Sequence, residues 1–220
     1  MAALLRICEL DSGSIKIDGV DIRSVGLKTL RSKIAVIPQD PVLFSGTVRT
    51  NLDPFDEYSD DSLFEVLQHV GLYSSMVKNY SSHSLSSNGG ISSDNPVKGR
   101  TQPIKSLADS VTEGGMNYSV GQRQLMVIAR AMLTGASVVI MDEATASVDG
   151  ETDQRIQRVF REVFKNATCI TVAHRLNTIM DSDLVLVMDD GRAAEFNTPS
   201  SLLSRGGMFK ALVDAWEEES

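Results

Sequence analysis

The chain has 220 residues, of which 42% are hydrophobic and 23% charged, so it can bury a full core as one α/β domain, with room for a small subdomain. Its net charge of −8 argues against a nucleic-acid partner, because phosphate backbones are bound by basic surfaces. No apolar run approaches the roughly 18 residues of a membrane-spanning helix, which argues against direct membrane insertion. Cys8 and Cys169 are predicted to be reduced core residues, and the three histidines are too far apart in the chain to suggest a metal site.

The first fifty residues predict short elements. Residues 2–7 resemble the end of a helix. The alternating residues 14–17, followed by Asp18-Gly19, predict a β-hairpin. The apolar run 33–37 predicts a strand that Pro38 ends.

A helix and then a long polar tract are expected next. One helical face carries apolar side chains between a cap at Ser59 and a stop at Gly71. Those side chains are Leu63, Phe64, Val66, Leu67 and Val70. Residues 80–105 are rich in Ser, Gly and Asn and lack periodicity, which predicts a mobile surface loop inserted in a compact domain. A phosphorylated regulatory segment is the alternative interpretation of this tract.

Strands and helices alternate in the second half. An amphipathic helix is predicted around residues 125–133, and the apolar run 138–141 is typical of a strand buried on both faces. The later elements are a helix at 152–164, a strand at 168–172, a helix at 176–180, strands at 184–188 and 192–196 joined by Asp190-Gly191, and helices at 199–203 and 208–216. This alternation implies a parallel, doubly wound sheet.

Two adjacent carboxylates, Asp142 and Glu143, follow the apolar run 138–141. Open α/β sheets bind ligands at the carboxyl ends of their strands. One carboxylate there can hold Mg²⁺, and the next can orient and deprotonate an attacking water. Two acids that merely cap a helix after a strand are the alternative.

A helix start at Ser119-Val120-Gly121-Gln122 suits an anion, because its N–H groups and dipole are free to bind one. Gly121 would let backbone approach a phosphate, and the side chains of Ser119 and Gln122 would add donors. A plain Ser-capped helix is the alternative.

Two further polar residues follow predicted strands. His174, after the strand at 168–172, can hydrogen-bond a terminal phosphate or serve a structural role. Gln39, after Pro38, is on its own only a polar residue at the end of a strand.

Together these residues resemble the motifs of the ATP-binding cassette family, and they stand in that family's order. The matches are Gln39 with the Q-loop glutamine, Tyr118–Gln122 with the signature sequence, Val138–Asp142 with Walker B, Glu143 with the catalytic glutamate, Ser147-Val148-Asp149 with the D-loop and His174 with the switch histidine. The segment Pro38–Pro54, the run Ser-Val-Gly-Gln-Arg-Gln and the presence of Glu143 are similar to the second, C-terminal cassette of the multidrug-resistance-associated exporters, subfamily C.

The resemblance implies a P-loop NTPase-type α/β ATPase core with a helical subdomain. Residues 1–50 and 135–220 would form the core, and residues 51–134 the subdomain, with a disordered insert at about 80–105. ATP and Mg²⁺ are the implied ligands: Gln39 and Asp142 would bind Mg²⁺ and ATP, with Glu143 and His174 as catalytic residues. The signature residues Ser119, Val120, Gly121 and Gln122 would contact the nucleotide of a second cassette across a head-to-tail sandwich, beside the D-loop residues Ser147 and Asp149.

The chain departs from the family pattern in three ways. The phosphate loop Gly-x-x-x-x-Gly-Lys-Ser/Thr is absent from the 220 residues, so the resemblance implies that the first strand and this loop stand ahead of Met1. Tyr118 replaces the usual Leu of the signature, which a packed position would tolerate. No transmembrane domain is present, although the resemblance implies work at the cytosolic face of a membrane, with the chain alone soluble.

Two functional hypotheses follow. The first is the nucleotide-binding domain of an exporter that couples ATP binding and hydrolysis to transmembrane transport. The second is a non-catalytic fragment or interaction module that contributes only its signature to a partner cassette. A truncated gene model would behave like the second, and the chain as given is predicted to be inactive in ATP hydrolysis.

Overall fold

The computed structural model describes residues 1–73, 104–142, 150–173 and 176–219. Most of the tract at 80–105 that was predicted to be a mobile loop lies outside these residues. The chain divides into two compact units, residues 1–170 and residues 171–220, and each is described by itself.

The amino-terminal segment contains a hairpin. Strand β1 (Lys16–Ile17) pairs with β2 (Val20–Asp21), as the sequence predicted. The turn residues Asp18 and Gly19 both have positive φ, 50° and 80°, which suits the twist of a two-residue hairpin.

The predicted helix end at residues 2–7 is wrong, because these residues form successive turns. The amide of Ile7 donates to the carbonyl of Ala2 at 2.9 Å. Arg6, with φ of 48°, takes the left-handed conformation, which an α-helix cannot contain.

A three-stranded sheet lies at the centre of the first unit, in the order β3 (Ile34–Ile37), β6 (Val138–Asp142), β7 (Thr168–Val172). Strands β3 and β6 are parallel, and Ile37 lies opposite Met141. The four apolar residues of β6 are at most 7% exposed, so this strand is buried on both faces, as predicted.

Apolar side chains cover both faces of β3 and β6, as expected for a doubly wound α/β fold. Alternate residues of the two strands belong to two different core clusters. The larger cluster contains Ala35, Ile37, Val139 and Met141 together with residues of the four helices between residues 48 and 163. The smaller cluster consists of Ile22, Leu30, Ile34, Val138 and Ile140. The structure therefore confirms the mixed α/β class that the alternation of elements predicted.

Five α-helices belong to the first unit among the described residues, besides the 3-10 helices Ile22–Ser24 and Glu113–Gly115. They are α1 (Leu27–Arg31), α2 (Val48–Leu52), α3 (Asp60–His69), α4 (Val120–Leu133) and α5 (Gly150–Val163). The predicted signals of α3 are confirmed: the Ser59 side chain accepts a hydrogen bond from the amide of Ser62 at 3.3 Å, and Gly71 follows with φ of 69°.

An antiparallel pair of two-residue strands links distant parts of the chain. Strand β4 (Gly46–Thr47) pairs with β5 (Ser110–Val111), and Thr47 also caps α2 through a capping box with Thr50. The sequence analysis missed this pair, because two residues are too few to show the period of a strand. The segment that precedes α2 is thereby fixed to the segment that precedes α4.

The second unit contains α6 (Leu176–Met180), β8 (Val185–Asp189), β9 (Arg192–Asn197), α7 (Pro199–Arg205) and α8 (Met208–Glu219), close to the predicted ranges. Strands β8 and β9 form an antiparallel hairpin. The core of this second unit consists of Val187, Leu202, Phe209 and Val213. The carboxylate of Glu195 accepts hydrogen bonds from the amides of Met208 and Phe209, both at 3.0 Å, and so caps the start of α8.

Several strand residues leave apolar side chains uncovered. Ile170 of β7 is 38% exposed, and Phe196 of β9 is 62% exposed. Cys169, on the exposed strand β7, and Cys8, in the amino-terminal turns, are free thiols, but both are exposed. The prediction that the cysteines are core residues is therefore wrong, since an apolar sequence context does not ensure that another element covers the side chain.

A buried carboxylate organises the loop between α2 and α3. Asp53 is 5% exposed, and its oxygens accept hydrogen bonds from the amides of Glu57 at 3.0 Å and Tyr58 at 2.8 Å. Burial by itself would raise the pKa of Asp53, but these amides and the nearby charge of Arg49 outweigh it, so the pKa lies below the ordinary value of 3.8.

Asp53→Asn should lower the free energy of unfolding by about 1–3 kcal/mol at pH 7, because an amide leaves one buried N–H without an acceptor. The lowered pKa means that the carboxylate's stabilisation is fully present above pH 3.8 and is lost as the pH falls through the folded-state value. Urea unfolding of parent and variant between pH 3 and 7 measures this, with Asp11→Asn, which changes an exposed carboxylate, as the charge-matched control. A constant difference between Asp53→Asn and the parent across that range would contradict the assignment.

Candidate functional site

The carboxyl edge of the central sheet carries two of the predicted ligand-binding residues. Asp142 is the last residue of β6 and is half-buried, and Gln39 is exposed two residues after the end of β3. Because Ile37 lies opposite Met141 in the parallel pair, both side chains follow their strands at the same edge. Glu143, directly after Asp142, and His174, two residues after β7, lie outside the described residues.

The oxygens at this edge fit a magnesium ion that is bound together with phosphate. Asp142 offers a carboxylate and Gln39 an amide oxygen, and Mg²⁺ takes one or two such protein ligands while phosphate and water fill its other positions. Within the described parts of the chain, no group of three or more His, Cys, Asp or Glu residues could hold a metal ion. Asp142 and Gln39 are thus the residues at this edge that would hold Mg²⁺ bound together with phosphate.

Helix α4 begins with a complete capping box. The Ser119 hydroxyl accepts a hydrogen bond from the amide of Gln122 at 3.2 Å, and the Gln122 side-chain oxygen accepts one from the amide of Ser119 at 3.0 Å. Gln122 is 6% exposed, so its side chain serves the helix start more than an open surface. The amides of Val120 and Gly121 take no part in this box, and they are the groups that remain to meet an anion.

Gly121 packs against helix α5. A β-carbon added at Gly121 would lie within 3.0 Å of Cγ2 of Thr152, whereas its next neighbours would be Cβ of Thr152 at 3.8 Å and Cδ1 of Ile156 at 4.0 Å. The glycine is thus required by a close helix–helix approach. Sequence reasoning connected Gly121 only with phosphate, since nothing in the local pattern reveals a contact with a residue 31 positions later.

A hydrogen-bond network fixes the loop before α4. The Asn117 side chain donates to the carbonyl of Ser110 at 2.7 Å and accepts from the amide and hydroxyl of Thr112 at 3.1 and 3.0 Å. The side chain of Arg123 donates to the carbonyl of Gly114 at 3.0 Å. Because Ser110 also belongs to β5, the approach to Ser119 is tied to the β4–β5 pair.

Tyr118 faces the core. Its ring packs against the larger core cluster, and its hydroxyl lies 3.4 Å from the carbonyl of Ser110. Burial, reinforced by the charge of Asp109, raises the pKa of the phenol. This packed position agrees with the expectation that Tyr could replace the usual Leu there. The predicted D-loop residues Ser147 and Asp149 lie outside the described residues, and α5 begins at the next residue, Gly150.

Comparison with known proteins shows which sequences this chain resembles. Residues 1–146 match the family model described as ABC transporter. A pleiotropic ABC efflux transporter of multiple drugs from Candida glabrata is 48% identical over 203 residues, which cover 92% of this chain. ABC transporter C family member 5 from Arabidopsis thaliana is 44% identical over 99% of the chain, and ATP-binding cassette sub-family C member 2 from Rattus norvegicus is 44% identical over 94%.

The matches cover only a small part of each relative. The aligned region is 12% of the Candida and rat proteins and 13% of the Arabidopsis protein. Among the described residues, none of the helices has the length and apolar character needed to cross a membrane.

The capping box predicts how substitutions at Ser119 affect stability. Ser119→Ala should lower the free energy of unfolding by about 1 kcal/mol, because the amide of Gln122 loses its acceptor. Ser119→Asp should stay close to the parent, since aspartate is an equally good N-cap. Urea titration of residues 1–220 followed by circular dichroism measures both, and equal midpoints for Ser119→Ala and the parent would show that the box does not stabilise α4.

Proposed function

The chain belongs to the ABC transporter family, and from that premise we propose that it acts as the second, C-terminal nucleotide-binding domain of a subfamily C exporter. In this role it couples ATP binding and hydrolysis to the movement of a substrate across a membrane. The parallel register of β3 and β6 carries the proposal, because it brings Gln39 and Asp142 to one sheet edge. The relatives aligned at 44–48% identity are named as ABC transporters or efflux proteins, which supports the same role.

The residues proposed for the sheet edge would contribute part of what phosphoryl transfer needs. Asp142 and Gln39 hold Mg²⁺ that arrives with ATP, and the ion supplies charge neutralisation at the phosphates. Glu143 is the general base that orients an attacking water, and His174 donates a hydrogen bond to the terminal phosphate. These roles rest on the position of each residue after its strand.

The start of α4 binds the nucleotide held by a second cassette. Ser119, Val120, Gly121 and Gln122 form this surface, with Ser147 and Asp149 beside it. The support is physical: the capping box satisfies the amides of Ser119 and Gln122, while those of Val120 and Gly121 remain for an anion at the positive end of the helix dipole.

The division of the domain follows the same proposal. Residues 1–50 and 135–220 form the α/β core, and residues 51–134 form the helical subdomain. Helices α3 and α4 both lie within residues 51–134, which supports a helical subdomain there. The contact-based units, residues 1–170 and 171–220, divide the chain differently and do not test this assignment.

Transmembrane helices of the exporter are the second proposed partner. Large apolar side chains stand exposed around α2: Phe44, four residues before it, is 65% exposed, and Phe55, three residues after it, is 81% exposed. Exposed aromatic residues of this size are typical of interaction surfaces. We propose that they contact transmembrane helices of the exporter, and that the chain then works at the cytosolic face of a membrane.

A non-catalytic module is the second candidate. The 220 residues contain no Gly-x-x-x-x-Gly-Lys-Ser/Thr segment, and that observation favours a chain that offers only its signature to a partner. The identity of 44–48% to named ABC transporters over 92–99% of the chain favours the first candidate instead.

Ser119→Asp should abolish ATP-dependent association with a first cassette from a subfamily C exporter. The new carboxylate keeps the helix cap but stands against the partner's triphosphate, where like charges repel. Analytical ultracentrifugation with and without MgATP measures the association, using a first cassette that has its own phosphate loop. Ser119→Asn, which keeps the cap without the charge, is the matched control. Equal association of Ser119→Asp and the parent would refute the role of the signature.

Purified residues 1–220 should not hydrolyse ATP measurably. Asp142, Glu143 and Gln39 have no anchored phosphate to act on, and positioning of the reacting groups contributes roughly 7–11 kcal/mol to such reactions. Fusion behind a strand and phosphate loop from a subfamily C second cassette should restore ATP binding. Hydrolysis should then also need the partner's signature, and Glu143→Gln should stop it while ATP stays bound. Steady turnover by residues 1–220 that Glu143→Gln removes would overturn this expectation.

A further inference from the structure

The first turn of α4 packs in direct contact with the first turn of α5. Gly121 is buried, and the position of its missing β-carbon is blocked by one methyl group, Cγ2 of Thr152. The next nearest atoms, on Thr152 and Ile156, are at 3.8 and 4.0 Å, which is ordinary van der Waals contact. A β-carbon at position 121 would therefore require this one methyl group, or the helix that carries it, to shift.

Helix α5 is itself firmly held at this point. Ile156, one turn after Thr152, is 1% exposed in the larger core cluster. Arg155 donates a hydrogen bond to the carbonyl of Gly71 at 2.7 Å, at the end of α3. Because α5 is held by its own core contacts, a change in the contact at Gly121 would act on the first turn of α4, where the helix begins.

We propose that Thr152 is a positioning residue for the signature: its methyl group, seated on Gly121, sets where the first turn of α4 presents its amides. The inference rests on the proposed function, in which those amides meet the nucleotide of a partner cassette. According to this inference, position 121 requires glycine because of the contact between α4 and α5. Thr152 lies outside the signature sequence, and the sequence alone gives it no role.

The experiment compares Gly121→Ala, Thr152→Ser and the double variant in the 220-residue chain. Serine keeps the hydroxyl of Thr152 and removes only Cγ2, so it opens the space that a β-carbon at position 121 needs. Each variant is measured for thermal unfolding and for MgATP-dependent association with the first cassette of a subfamily C exporter. Gly121→Ala/Thr152→Val is the matched control, since valine keeps a methyl group at the blocking position.

Gly121→Ala should lower the Tm by roughly 3–10 °C, as overpacking does in a domain of this size, and should weaken association about tenfold or more. Thr152→Ser alone should weaken association about two- to fivefold, because it removes the methyl group that positions the first turn of α4. The double variant should recover most of both losses, and such coupling between neighbouring sites is what direct contact produces. The valine control should remain impaired in both measurements.

Two results would overturn the proposal. If the double variant regains its Tm but not its association, then Gly121 is needed on the nucleotide side and Thr152 has only a structural role. If Gly121→Ala matches the parent in both measurements, the contact does not constrain α4. A parent chain that shows no MgATP-dependent association would instead refute the proposed function, and the positioning role with it, while the Tm values would still report on the packing.

Discussion

The parallel pairing of β3 with β6 is the constraint on which the rest of the first unit depends. Each strand places alternate side chains in two separate core clusters, so a shift of one residue would exchange the clusters of every apolar side chain. The same register fixes where each strand ends, because Ile37 lies opposite Met141. Gln39 and Asp142 follow their strands at the same edge as a consequence of core packing. No further interaction is needed to bring the two strand ends together.

Helix α4 joins this sheet to the rest of the unit at both of its ends. Near its carboxyl end, Arg130 donates to the carbonyl of Asn51 at 2.7 Å, and the carbonyl of Leu133 accepts from the hydroxyl of Tyr58 at 2.7 Å. At its amino end, Asn117 ties the preceding loop to Ser110, and Thr152 packs against Gly121 in the first turn. A helix fastened at both ends presents its amides in one orientation, which lowers the cost of binding an anion there.

The sequence predicted most elements, because periodicity and caps are local signals. The buried strand at 138–141, the cap at Ser59 and the turn at Asp18-Gly19 were correct for that reason. What it missed depends on distant parts of the chain. The β4–β5 pair joins residues more than sixty positions apart, and neither strand is long enough to show a pattern. The exposure of Cys8 and Cys169 was missed for the same reason, since burial depends on the element that covers a side chain.

The same distinction between local sequence signals and contacts with distant parts of the chain applies to the candidate site. Adjacency to a strand end located Asp142 and Gln39, and this rule needs only the order of elements. The signature was located by its cap, but the uses of its side chains were not: Gln122 is turned inward to close the capping box, and Gly121 fits beneath Thr152. The capping box uses the side-chain oxygens of Ser119 and Gln122 as acceptors, and the amides of Val120 and Gly121 are the backbone donors that we propose to face an anion at this helix start. Under the proposed function, affinity there depends on how accurately the helix is held, and packing residues outside the motif, such as Thr152, contribute to it.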